Sequence, residues 1–151
     1  MKVLAAVFLS LSLIVMNGPS AVATDIDRTD PVATAQAFLL AFKTKDLVKM
    51  AELVNSSNKE MFEELAAEGE ANRGYKEVFG GWRYEAAVAA SGVSDTVKYN
   101  RRGEGVVMFH KLEGDEVAVF VLTNEDGIWA IEDINSPGTA QYDDLPSTPP
   151  Q

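Results

Sequence analysis

Cysteine is absent from this 151-residue chain, and histidine occurs once, at position 110. Without cysteine there is no disulfide, no thiolate nucleophile and no lipoprotein acylation point. One histidine with no cysteine is too little for a typical zinc site, so no metal centre is expected. A serine hydrolase would have to take His110 as its base, yet no Gly-x-Ser-x-Gly elbow stands before a helix. Phosphate-cradling glycine loops are also missing. Gly80-Gly81 and Gly103-Glu-Gly105 lack both the length and the helix that must follow. Basic residues are few, 13 against 23 acidic ones, for a net charge of −10. That balance excludes nucleic acid and anionic membrane surfaces, which require a basic face. Together these absences assign no catalytic residue, no cofactor and no metal.

One long apolar run is present, at the start. Lys2 precedes Val3 to Met16, apolar apart from two serines, and Asn17-Gly-Pro19 breaks any helix there. Ala21-Val-Ala23 then supplies a small-x-small cleavage signal. This pattern predicts a secretory signal peptide, residues 1–23, cut after Ala23. The run of about 14 residues rises only about 21 Å as a helix, short of the roughly 30 Å hydrocarbon core. The expected location is therefore periplasmic or secreted. Loss of the leader removes one basic residue and leaves 128 residues with a net charge of −11, enough for one domain with an ordinary hydrophobic core. No second long apolar run exists, so no membrane span is expected in the mature chain.

Beyond a flexible segment at 24–29, Asp30-Pro31 marks a helix start, with Asp30 as N-cap and Pro31 at the first helical position. Val32, Ala35, Phe38, Leu39 and Phe42 follow at helical spacing. Asp46 can cap a second helix bearing Leu47, Met50, Ala51, Leu53 and Val54. Ser57-Asn-Lys-Glu60 fits a capping box for a third helix, which Gly69 ends, and a helical turn over Tyr75 to Phe79 comes next. From Trp82 to Ala90 the apolar residues alternate, which predicts a strand. Further strands are expected at Thr96 to Asn100, Val106 to Leu112, Val117 to Thr123 and Ile128 to Ile134. The tips between them are Arg101-Arg-Gly103, Glu113-Gly-Asp115 and Glu125-Asp-Gly127, the last a strong type I′ hairpin signal. Ser136 to Gln151 holds four prolines and little that packs, so 136–151 is expected as a disordered tail. Helices followed by antiparallel hairpins define an α+β domain over 30–135, with helices packed on a curved, mainly antiparallel sheet of about four to five strands. The strand from Val117 to Leu122 is apolar on both sides, so its second face must be covered or line a pocket.

The order of elements carries a resemblance. Helices with AQAFLLAFKTKDLVKMAELV, a third helix, and a meander ending in EDGIWAIEDI resemble the cystatin-like superfamily of nuclear transport factor 2 and the ketosteroid isomerases. The likeness is nearest to small exported bacterial members, and spans roughly Asp30 to Pro137. It implies a cone-shaped fold with a pocket between sheet and helices, and frequent sheet-to-sheet dimers. The isomerase branch uses an aspartate base with a tyrosine and a protonated aspartic acid. Tyr84, Tyr99, Asp95 and Asp133 are residues of those types here, at positions that no family spacing assigns.

Individual candidates are few. Glu132 and Asp133, as strand neighbours, should point to opposite faces and so cannot act as an acid–base pair. Asn55-Ser-Ser57 matches a glycosylation sequon. Trp82, Tyr84, Phe109, His110, Phe120 and Trp129 are the candidate ligand-binding residues, the aromatics as core members that could reach a cavity and His110 as a group that titrates near neutrality. The expectation is a non-catalytic exported domain binding a small apolar or amphipathic ligand, or a protein partner, in the cell envelope. Its rivals are an isomerase- or cyclase-type enzyme with an acid and a tyrosine in the pocket, and an assembly module that forms a homodimer through its sheet.

Overall fold

The computed structural model describes residues 25–110, 116–135 and 142–151. The expected leader and the tip at Glu113 to Asp115 lie outside those residues. Helix α1 covers Pro31–Thr44, and the Asp30 carboxylate accepts from the Val32 N–H at 2.8 Å, satisfying an otherwise orphaned first-turn donor. Helix α2, Leu47–Leu53, is capped in the same way by Asp46 through the Lys49 N–H at 3.0 Å. Helix α3, Ser56–Glu68, has Asn55 rather than Ser57 as its N-cap, and Gly69 ends it at φ 58°. Asn55 is buried and its side chain is committed to the Asn58 N–H, so the sequon is structurally occupied. Helix α4 spans Tyr75–Phe79.

Residues Trp82–Ala89 form helix α5, which overturns the expected strand. The alternation of Trp82, Tyr84, Ala86 and Val88 suggested a period of two. The buried residues are instead Ala86, Ala87 and Ala90, an i, i+1, i+4 helical face, while Trp82 and Val88 are about half exposed. Alanine has the highest helix propensity, and Val88 is the segment's one β-branched residue, so composition outweighed a short alternation.

The sheet is built on three antiparallel strands, β3 (Gly105–His110), β4 (Glu116–Glu125) and β5 (Ile128–Asn135). Two-residue strands β1 (Gly92–Val93) and β2 (Lys98–Tyr99) pair antiparallel with β3. The architecture is thus mixed α+β. Phe120 and Leu122 of β4 and Ile131 of β5 pack on Phe38, Leu39, Met50 and Leu65 of the helices in one core. Both faces of β4 are buried over Ala118 to Leu122: Val119 and Val121 point the other way, and Tyr142, with Leu145 beside it, covers Val119. Within residues 142–151, part of the segment expected as a disordered tail, Tyr142 and Leu145 meet this outer face and Asp143 and Pro146 bond to β2. The Tyr99 N–H donates to the Pro146 carbonyl at 2.8 Å and Lys98 Nζ to the Asp143 carbonyl at 3.2 Å.

The free edge of β5 is also covered. Arg28, in the segment expected to be flexible, bonds both main-chain groups of Trp129: its guanidinium donates to the Trp129 carbonyl, and its own carbonyl accepts from the Trp129 N–H. Val54 forms a parallel bridge with Ile131, and the Asn55 N–H donates to the Ile131 carbonyl at 2.8 Å. These contacts occupy backbone groups that would otherwise template pairing with another chain. No helix of the described residues is long and apolar enough to cross a membrane.

Candidate functional site

The acidic stretch around Trp129 resolves into structural roles. Asp126 and Gly127 both take positive φ, 54° and 88°, and close the two-residue hairpin between β4 and β5. Glu125 reaches the start of α3, where its carboxylate accepts from the Ser56 hydroxyl at 2.8 Å and from the Ser56 N–H at 3.1 Å. A carboxylate there also meets the positive end of the helix dipole.

Glu132 and Asp133 depart from the expected alternation. The β4–β5 register moves from Val121↔Asp133 to Leu122↔Ile131, so Glu132 is an extra residue, a bulge. Ile131 and Ile134 consequently both face the helices although they are three apart. The Glu132 side chain lies beside that of Glu104. Glu104 is itself held by Arg102 at 2.8 Å and by the Asn100 side-chain amide. Burial raises the pKa of Glu132 above its ordinary 4.5, with the hydrogen bond and the charge of Glu104 adding to the effect. Oε2 of Glu132 and Oγ1 of Thr123 are buried without a hydrogen-bond partner among the described residues.

On the helix side of β5 a cleft of about 240 Å³ opens between α3, the α4–α5 pair and the strand. Phe38, Phe42, Phe62, Ile131 and Ile134 form its floor. Its polar margin is Asn58, Glu77, Arg83, Glu132 and Asp133. Arg83 projects from α5, donates from Nε to the Ile134 carbonyl at 2.8 Å and pairs with Asp133 at 3.4 Å. Asn58 donates to the Glu132 carbonyl at 2.8 Å from the opposite wall. These bonds tie both helical walls to the backbone of the bulged edge strand, so the bulge sets the cleft's polar lip. Among the described residues no group of acids and histidine is arranged to hold a metal.

No protein-family model, curated protein or solved structure matches this chain.

The six expected site residues do not converge on this cleft. Phe120 is fully buried beneath it, edge-on to Phe38 at 5.6 Å. Trp129 packs against Tyr99 and the backbone of Gly105, where an added Cβ would stand 3.1 Å from its ring. Trp82 lies on the surface with the Arg83 guanidinium over its ring at 5.4 Å. Tyr84 packs against Phe42 and Phe79 and does not line the cleft. Phe109 and His110 belong to β3, paired in register with Ala118 and Glu116. Sequence reasoning missed Arg83, Asn58 and Met61 as cleft residues. The signal that could have found Arg83 is a helical reading of Trp82 to Ala89, which places it three and four residues before the buried Ala86 and Ala87, on the inward face from which its long side chain reaches the sheet edge.

Proposed function

We infer that this chain is an exported, cystatin-like α+β domain that binds a small apolar or amphipathic ligand in the cell envelope, in the cleft between α3, α4–α5 and β5. The observation that carries the reading is the cleft itself, an apolar aromatic–aliphatic floor with a few fixed polar groups at its lip. That is the usual make-up of a small-molecule site. Its volume of about 240 Å³ falls below the roughly 300–1,000 Å³ of drug-sized sites, so the ligand is small. Arg83 and Asp133 give its polar end one donor and one acceptor. The isomerase-type alternative calls for an acid and a tyrosine in one pocket. The cleft's described lining includes acids, Glu132 with its raised pKa among them, but no tyrosine.

The test is calorimetric titration of the exported protein with a homologous series of straight-chain alcohols, repeated on Met61→Trp. Met61 lines the cleft and is 45% exposed, so the larger ring can fill the space without entering the core. Saturable binding with an optimum chain length, lost in Met61→Trp at unchanged far-UV circular dichroism, is expected. Absence of binding across the series would sink the reading.

A further inference from the structure

A second, separate feature lies where α1 hands over to α2. Lys45 follows the last residue of α1 and adopts φ 56°, ψ 35°, the left-handed region where glycine is the usual occupant. This conformation carries its side chain across to α4 and α5. Its ammonium nitrogen lies 5.5 Å from the ring centre of Tyr75, 5.3 Å from Phe79 and 5.3 Å from Tyr84. Three aromatic rings therefore surround one cation.

The rings are set by the fold, independently of the lysine. Tyr75 and Phe79 are four apart on α4 and their centres lie 4.7 Å apart. Phe79 and Tyr84 meet at 88°, making a corner, and Phe42 backs both at 5.7 and 5.3 Å. The Tyr84 hydroxyl donates to the Lys43 carbonyl at 3.4 Å, which anchors that wall to the end of α1. Phe79 is buried while Tyr75 and Tyr84 are half-buried, so the corner is rigid at its base and reachable from solvent at its rim. Lys45 is exposed and forms no ion pair among the described residues.

We propose that Tyr75, Phe79 and Tyr84 form an aromatic cage for a quaternary ammonium group, of the choline or tetramethylammonium class, and that Lys45 is its built-in competing occupant. Ring faces attract a cation through their quadrupoles, and several faces around one point favour a weakly hydrated, bulky cation over a strongly hydrated primary ammonium. An external quaternary ammonium meets the same surfaces that now hold Lys45, and gains entry when the lysine side chain swings out. The proposal is independent of the cleft, which none of Lys45, Tyr75, Phe79 and Tyr84 lines.

The experiment titrates choline into the full chain and into Lys45→Gly, following the upfield ring-current shift of the choline methyl protons by NMR. Glycine suits the left-handed backbone at this position, so the variant keeps its fold. Saturable binding by Lys45→Gly, with the wild type about tenfold weaker because its own cation competes, is the expected result. The uncharged isostere 3,3-dimethylbutan-1-ol should not bind, and Tyr84→Leu added to Lys45→Gly should abolish the shift. Should that double variant lose its circular dichroism signature, Tyr75→Leu takes its place. The cage is overturned by no choline binding in Lys45→Gly, by equal binding of the neutral isostere, or by binding that survives loss of a ring. Equal affinity in wild type and Lys45→Gly overturns the role of Lys45.

Discussion

Glu132 shows how one inserted residue changes the behaviour of its neighbours. Were β5 regular, Glu132 and Asp133 would point apart, one to each face of the sheet. The bulge instead inserts Glu132 as an unpaired residue and resets the phase after it, so that Ile134 rejoins Ile131 in the core, while Glu132 lies next to Glu104 and near Arg102, with Asp133 adjacent on its own strand. Burial and the carboxylates of Glu104 and Asp133 disfavour its charge, and Arg102 opposes them. A carboxyl whose pKa is raised on folding binds its proton more tightly in the native state. Its favourable contribution is therefore complete below the ordinary value of 4.5 and is lost as pH rises through the raised native value. Glu132→Gln removes the ionisation while keeping the shape. The expected outcome is a higher urea midpoint than wild type at pH 7, with the gap closing toward pH 4. An identical pH dependence in both proteins would show that Glu132 does not couple to folding.

The helix at Trp82–Ala89 makes a claim that a strand would reverse. Val88 is 51% exposed, so its packing contributes little and backbone propensity decides. In a helix Val88→Ala should stabilise by a few tenths of a kcal/mol, because a β-branched side chain is exchanged for the best helix former. In a strand the same change should destabilise. Thermal unfolding of the variant reads the sign directly. The same contrast shows what was legible in the sequence. Asp30-Pro31, Asp46, Gly69 and Asp126-Gly127 act through bonds to residues a few positions away, and each performs the role its chemistry suggests. Period was less readable, since a short window satisfies two templates and only burial arbitrates. The cleft was less readable still. Phe38, Phe62, Arg83 and Ile134 meet there from α1, α3, α5 and β5, and their meeting depends on packing and on a bulge that the residue pattern did not announce.

Coverage of the sheet's outer face links the ends of the chain to its middle. The doubly apolar β4 requires shelter on both sides, and among the described residues Tyr142 supplies part of the second shelter by packing on Val119. Tyr142 is 3% exposed, and its hydroxyl meets Ser94 at 3.2 Å, so this contact combines apolar burial with a polar anchor. A homodimer formed through the same surface would have to displace the segment, which sets the two arrangements against each other. Tyr142→Ala separates them. If the segment is an integral cover, the variant loses about 2 kcal/mol, in line with exposing one large buried side chain and its partner. A newly exposed Val119 surface should also add concentration-dependent association in sedimentation velocity. If the segment instead lies over a face that pairs with a second chain, removing its anchor should strengthen a dimer that the wild type already forms, at unchanged urea midpoint. Loss of stability without a pre-existing dimer therefore assigns the outer face to the chain's own C-terminal residues.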